Sequence, residues 1–330
     1  MAAPRTWDWR IIPVAGFTAL VVWLLVRNLA GADEFGEAFA NARWEYGLAA
    51  IGLLLVTQFV AAHRWMLILD ALGHPIPFGR AALAMLATWP MAMLAPARAS
   101  DLLRALAIAD LCPPLRGAGS VLAEKAIDVQ SLCILAIVGS LAFDVPIVAV
   151  LAAGMLVCEW IFVWALVYRR ATIAKLPLLR RRPEKLEQVL VAFTALLQRP
   201  ARLALVSATS LVSWVLATAL FQCLLLMFDA QVGIAATLAL WPGAISAGMV
   251  PVTLAGMGTR DAAFIYLLRA AGHTPIHEGA VLAATLGYSA VGTWLLAILG
   301  IPFAVQFVLR LRRPAPGAAS VEAPEQNEVP

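Results

Sequence analysis

The sequence predicts an all-α polytopic membrane protein with six spans and two re-entrant helical hairpins, arranged as an inverted repeat. Three observations predict it. The chain has 330 residues, of which 62% are hydrophobic and only 13% charged, whereas soluble domains run near half apolar and a quarter charged. Six apolar runs approach the roughly 20 residues that cross a bilayer. Two further regions are equally apolar but are interrupted by Pro, Gly and charged residues.

The six runs fall at 11–30, 46–69, 129–143 (extended back to about 121), 145–168, 202–228 and 280–309. The first is too long for the apolar core of a signal peptide and no small-residue cleavage site follows it, so it is expected to be a retained span. Basic residues orient the set. Arg5 and Arg10 precede the first span, and Arg310, Arg312 and Arg313 follow the last. Between the fourth and fifth lie Arg169, Arg170, Lys175, Arg180, Arg181, Arg182, Lys185, Arg199 and Arg202. The loop at 31–45 is acidic. By the positive-inside rule both termini and the 169–202 loop face the cytoplasm of a plasma (inner) membrane. Residues 1–313 then form a single transmembrane domain, and 314–330 are a Pro/Ala/Glu tail expected to be disordered.

Parity constrains the regions 76–112 and 232–271, because each must return to the side from which it enters. Two full spans would satisfy parity, but length argues against them. The arm from Asp101 to Leu111 stops at Cys112-Pro113-Pro114 and covers about 16 Å at the helical rise, while 258–271 covers about 21 Å. Each region therefore reads as a re-entrant hairpin, with Pro96 and Pro251 at the tips. The tip sequences MLAPARASDLLRAL (93–106) and MVPVTLAGMGTRDAAFIYLL (249–268) share an apolar lead, a Pro, small residues, an Arg and an Asp that opens a new helix. Span–hairpin–span occurs twice with opposite insertion, the pattern of an inverted-topology repeat.

Interrupted backbone and charge survive at membrane depth only when buried in protein or facing a water-filled cavity. The tips bring Arg98, Asp101, Arg104, Gly256, Gly258, Arg260 and Asp261; the third span, beginning GSVLAEKAIDVQS, brings Glu124, Lys125 and Asp128. Glu124 and Asp128 lie at i and i+4 and share a helical face. Two carboxylates there repel unless cations oppose them, so the set reads as one near-neutral cluster of four cations and four anions able to exchange partners. The competing reading is structural: Ser100-Asp101 and Thr259…Asp261 suit helix N-termini, Arg104 can pair with Asp101 at i+3, and Glu124 can lie exposed at the cytoplasmic interface. Glu159 lies near the middle of the fourth span and is a candidate proton carrier, or else a protonated carboxyl bonded to a neighbouring helix. Gln58 and Gln222 are expected to hydrogen-bond between helices.

The loop segment PEKLEQVLVAFTALLQ (183–198) places Leu186, Val189, Leu190, Phe193 and Leu197 on one face, as in a helix lying along a membrane surface. The Arg run at 180–182 suits anionic lipid. Cys112, Cys133, Cys158 and Cys223 are scattered without ligand spacing, so neither disulfide nor metal is expected. There is no GxxxxGK[ST] phosphate loop. No cofactor, no nucleic-acid partner and no enzymatic activity are expected.

At three motifs the chain resembles the flippase-like integral membrane family that includes the membrane region of lysylphosphatidylglycerol synthases. They are PARASDLLR at 96–104, EKAID at 124–128 and PVTLAGMGTRD at 251–261, in the family's order, over roughly 10–310. Ser100 stands where the family usually has Gly, Leu254 and Ala255 occupy its Pro-Gly positions, and Asp261 replaces a closing Glu. The resemblance implies the lipid-translocating part of such proteins without the aminoacyl-transferring part. The expected function is movement of a lipid or lipid-linked headgroup between leaflets, with a membrane lipid as substrate. The alternatives are an intramembrane enzyme acting on a lipid phosphate, with Asp128 or Glu124 as base, and a membrane partner that docks a separate synthase or glycosyltransferase.

Overall fold

Apolar runs punctuated by Pro set where the helices begin. In the computed structural model the described residues are 16, 19, 20, 23, 24, 27, 32–92, 101–169, 183–249, 253, 256–272 and 277–312, and every regular element among them is helical. They are α1 (Ala32–Ala40), α2 (Trp44–Ala71), α3 (Phe78–Ala92), the single turn α4 (Arg104–Ala107), α5 (Pro114–Ala142), α6 (Pro146–Tyr168), α7 (Pro183–Leu197), α8 (Pro200–Met227), α9 (Ile234–Gly248), α10 (Thr259–Ala270), α11 (Glu278–Ser289) and α12 (Leu296–Arg312). A π-helical segment, Ala290–Leu295, joins the last two. Helices α5, α6, α7 and α8 all open on a Pro. A missing N–H costs nothing in a first turn, where it has no intrahelical acceptor, and the ring presets φ.

The protein is a polytopic helical membrane protein. Four stretches are long and apolar enough to cross a bilayer: Trp44–Ala71, Pro146–Tyr168, Pro200–Met227 and Glu278–Leu309. Helix α5 has 29 residues, about 43 Å at the helical rise, and so has the length as well. It begins at Pro114, earlier than the 121–129 read from hydropathy, because Pro113-Pro114 ends one segment and starts the next. Glu124 and Asp128 therefore lie well inside a helix, not at its entrance. The acidic loop 31–45 also differs from expectation, since it contains α1, whose Phe39 packs 4.9 Å from the Phe228 ring. Most of the first expected span, the tips Pro96 and Pro251, and the tail 314–330 lie outside the described residues.

Both hairpin regions contain helices shorter than a span. Helices α9 and α10 have 15 and 12 residues, about 22 and 18 Å, against a hydrocarbon core of about 30 Å. Helix α3 likewise has 15 residues. The return arm at 101–111 is more broken than expected: a 3₁₀ turn at 101–103, then α4, then turns up to Leu111.

The packing relates the two halves. Helices α2 and α8 lie along each other; α3 packs on α12, and α9 packs on α5. Exchanging the halves maps these pairings onto themselves, as an internal repeat requires. Both crossings use a Gly. A Cβ on Gly139 of α5 would overlap the Ala239 backbone of α9, and one on Gly300 of α12 would overlap the Leu86 carbonyl of α3. Gly139→Ala and Gly300→Ala are each expected to lower stability by about 1–3 kcal/mol through overpacking, read as a lower thermal midpoint in detergent. Gly154→Ala, where nothing lies within 4 Å of an added Cβ, is expected to leave the midpoint unchanged or raise it.

Helix α7 packs on protein over part of its apolar face. Of the five residues read as that face Leu190 is buried, Leu186, Val189 and Phe193 are half-buried and Leu197 is exposed. Leu190, Ala192 and Leu196 are buried, and Gly119 of α5 lets the Val189 backbone approach closely. Gln222 follows expectation: its Nε2 donates to Val232 O at 3.0 Å, and it accepts from Thr237 Oγ1 at 2.6 Å.

Candidate functional site

One face of α5 carries the carboxylates, and the structure supplies a cation for them that the motif reading missed. Arg64, from α2, donates Nη1 to Asp128 Oδ1 at 2.7 Å and Nη2 to Glu124 Oε1 at 2.7 Å, with a longer bond to Asp128 Oδ2 at 3.2 Å. Its planar fork thus spans the i, i+4 pair and neutralises both members in part. Arg104, from α4, donates Nη2 to Glu124 Oε2 and lies over the Trp65 ring, 4.6 Å from its centroid. Ser210 Oγ and Trp214 Nε1, both from α8, donate to Asp128 Oδ1 at 3.0 and 3.1 Å. Trp65 Nε1 donates to Ser120 Oγ at 2.9 Å. At the rim Lys125 Nζ bonds Asp101 Oδ2 at 2.8 Å and lies 4.0 Å from Asp128 Oδ2.

Glu124 is 1% exposed and Arg64 and Arg104 are each 3% exposed. The alternative that placed Glu124 in solvent is therefore excluded. So is the alternative i+3 pairing of Arg104 with Asp101, since Arg104 reaches across to α5 while Asp101 pairs with Lys125. Arg64, Arg104 and Lys125 balance Asp101, Glu124 and Asp128. Each arginine keeps one buried donor, Nε, without an acceptor among the described residues.

The second hairpin forms a separate balanced pair. Gly256 and Gly258 have φ of 76° and 89°, a region L side chains avoid, and a Cβ on Gly256 would come 2.6 Å from Gly248 O. This turn lets α10 start at Thr259 directly against the end of α9. Asp261 is fully buried and accepts from Gly258 N at 2.8 Å, an N-terminal cap of the kind the composition suggested. It also accepts from Arg260, Nη2 to Oδ1 at 2.9 Å. Arg260 Nη2 further donates to Thr285 O at 3.1 Å and Ser289 Oγ at 2.7 Å on α11. Its guanidinium lies 5.4 and 4.9 Å from the Trp241 and Tyr288 ring centroids.

Among the described residues no ion pair joins the Arg260–Asp261 pair to the Glu124–Asp128 network. Helix α8 links them: Trp214 bonds Asp128, and two turns further, about 10 Å along the axis, Phe221 stacks on Trp241 with centroids 3.5 Å apart. Arg98 lies outside the described residues. Glu159 joins neither cluster. Two signals were available for what was missed. Arg64 is an ionisable residue inside the run 46–69, which by itself marks a functional position. The dipeptide Trp-Pro occurs in both first arms, Trp89-Pro90 in α3 and Trp241-Pro242 in α9, and strengthens the repeat.

No curated protein matches the chain. The family model described as the lysylphosphatidylglycerol synthase TM region matches residues 10–300. A buried ionic face on a membrane helix, three sub-length hairpin helices and a match over nearly all of the chain agree, and the protein belongs to the lysylphosphatidylglycerol synthase transmembrane-region family.

Proposed function

We propose that the protein moves a lipid or lipid-linked headgroup between the leaflets of the plasma membrane, with both termini in the cytoplasm and the two halves inserted in opposite directions. Family membership supports a membrane-lipid role. The observation that carries the finer reading is the buried network of Arg64 and Arg104 with Glu124 and Asp128, continued at its half-exposed rim by Lys125 and Asp101. Two cations and two carboxylates in a low-dielectric site are costly unless mutually paired, and with Lys125 and Asp101 at the rim they can exchange partners at small net cost. A headgroup phosphate would satisfy the buried Nε donors of Arg64 and Arg104, and the released carboxylates would take the headgroup's hydroxyl or cationic part. Arg98, Gly256, Gly258, Arg260 and Asp261 would meet the headgroup at the hairpin tips, while the tails stay in the bilayer. Anionic lipid would gather at the basic loop. Movement is downhill or ion-coupled.

Transport is favoured over intramembrane catalysis by the state of the carboxylates. A general base needs an accessible lone pair at its reacting proton. Asp128 Oδ1 already accepts from Arg64, Ser210 and Trp214, and both oxygens of Glu124 face guanidinium donors. Docking of a separate lipid-modifying enzyme through the amphipathic stretch would have only part of the α7 apolar face to use, since Leu190 is buried against the protein while Leu197 is exposed.

Lys125 offers the cleanest test, because its side chain is 34% exposed and an exposed pair contributes at most about 1 kcal/mol. Lys125→Gln is expected to keep the thermal midpoint within a few degrees and to slow movement of a fluorescent lipid in liposomes about tenfold or more, since it removes the mobile partner of Asp101 and Asp128. Wild-type rates in a folded Lys125→Gln protein would remove this network from the pathway.

A further inference from the structure

Helices α5, α6 and α7 enclose a cavity of about 310 Å³ that neither ionic cluster uses. Glu159 lies 13 residues after the start of α6, about 20 Å along its axis, and 9 residues, about 14 Å, before its end at Tyr168. The cavity occupies the second interval. Glu159, Val163 and Tyr168 line it along α6, and Leu197 of α7 and Leu203 of α8 line it where those helices meet the basic loop. It therefore runs from the middle of the span to the loop side. Such a volume holds several waters, and Gln130 of α5 and Tyr168 offer them polar partners. Glu159 Oε2 is inaccessible to solvent and has no hydrogen-bond partner among the described residues. This removes, for that oxygen, the reading of a carboxyl bonded to a neighbouring helix.

The charged groups on the surrounding elements are occupied elsewhere or distant. On α5, Glu124 and Asp128 bond Arg64, Lys125 pairs with Asp101 and Asp128, and Arg116 meets His74. Cys133 of α5 is fully buried and lies within the field of Glu159, but a thiol brings no positive charge. Arg202 of α8 pairs with Asp70. Glu184, Lys185 and Glu187 of α7 and Cys158 of α6 are exposed. Arg169 follows Glu159 by ten residues, about 15 Å along a helix, and its guanidinium lies over the Trp164 ring at 5.8 Å. A carboxylate inside a membrane helix requires a partner, and among the described residues no cation is placed to be one. The choice of ligand is narrow. A divalent metal takes about six or more oxygen ligands, and the side-chain oxygens of the lining belong to Glu159, Gln130 and the distant Tyr168. A proton needs one lone pair and leaves a neutral group, which removes the cost of a buried charge.

We propose that Glu159 is a reversible proton-binding site at mid-span, reached by water through this cavity from the side of the membrane that carries the basic loop. The carboxylate takes a proton from that water and becomes neutral, and it returns the proton by the same route when it ionises. The site would supply the ion for an ion-coupled form of lipid movement, but it does not depend on the transport reading.

Two measurements test it. The first is labelling of the wild-type protein in liposomes by dicyclohexylcarbodiimide, an apolar reagent that adds to protonated carboxyls and spares carboxylates, with the modified peptide located by mass spectrometry. Glu159 is expected to be labelled at about pH 6 and to lose at least about tenfold of that rate by about pH 9, because each pH unit above the midpoint removes tenfold of the protonated form. A Glu159 that is unlabelled at both pH values, or labelled equally at both, overturns the proposal. The second is water access, in a protein whose native cysteines are replaced by alanine. Val163→Cys, inside the cavity, is expected to react with a membrane-impermeant methanethiosulfonate at least about tenfold faster than Val157→Cys on the uncovered face of α6, because the reacting thiolate forms in water. Equal rates overturn the route. If the cysteine-free protein does not fold, the labelling of wild type decides alone. Neither measurement follows lipid movement, so this site and the transport reading can each fail without the other.

Discussion

Arg64→Ala is expected to destabilise the protein by about 3–5 kcal/mol, the usual cost of breaking a buried ion pair by removing one partner, and to stop lipid movement. The reason is geometric. Among the described residues Arg64 is the one side chain that bonds both Glu124 and Asp128, with both Nη groups at 2.7 Å from a carboxylate. Its loss leaves Arg104 and Lys125 against three carboxylates in a site where Glu124 is 1% exposed. Arg64→Lys restores charge but not the two-pronged geometry, and is expected to recover part of the stability only. Adding Asp128→Asn to Arg64→Ala is expected to cost less than the sum of the two changes, because the partners interact directly. Denaturation midpoints of the four proteins in detergent measure that coupling. Additive effects would mean that the Arg64–Asp128 contact does not carry the cluster.

Arg260→Ala is expected to be comparably severe, again about 3–5 kcal/mol, for a different set of contacts. Asp261 is fully buried and would keep only the Gly258 N–H among these bonds. Thr285 O and Ser289 Oγ would lose their donor, and the Trp241 and Tyr288 rings would lose the cation beside them. A lysine cannot contact Asp261 with two nitrogens while bonding α11, so Arg260→Lys is expected to rescue poorly. Asp261→Asn, which retains an oxygen acceptor for Gly258 N–H, is expected to be milder than either. In liposomes, a folded Arg260→Ala protein that moves lipid as fast as wild type would exclude the second hairpin from the pathway.

Much of the fold was legible locally. Transfer free energy depends on a segment's own composition, so the runs at 46–69, 145–168, 202–228 and 280–309 correspond to α2, α6, α8 and the α11–α12 pair within a few residues. The glycines at 256 and 258 marked the turn of the second hairpin, whose return helix α10 has 12 residues against the 14 read at 258–271. The start of α5 was misplaced because charged residues depress hydropathy in its first half, which is where the site lies. The amphipathic pattern of α7 was real, but a pattern names an apolar face without naming what covers it, and α5 covers the part around Val189 and Leu190 here.

The site divides along the same line. Glu124 and Asp128 declared themselves by their i, i+4 spacing, and Asp261 by its place at a helix start. The identity of their partners did not, because Arg64 lies 64 residues before Asp128 and Trp214 lies 86 after it. Sequence by itself determined a membrane protein with interrupted helices and ionisable groups at depth, since each of those properties is carried by neighbouring residues along the chain. Only the tertiary structure decided that Arg64 and Arg104 pair with Glu124 and Asp128 while Arg260 pairs with Asp261, and that Glu159 faces a cavity of its own. Coulombic pairing depends on distance in space, and the packing of α2, α4, α5 and α8 sets those distances.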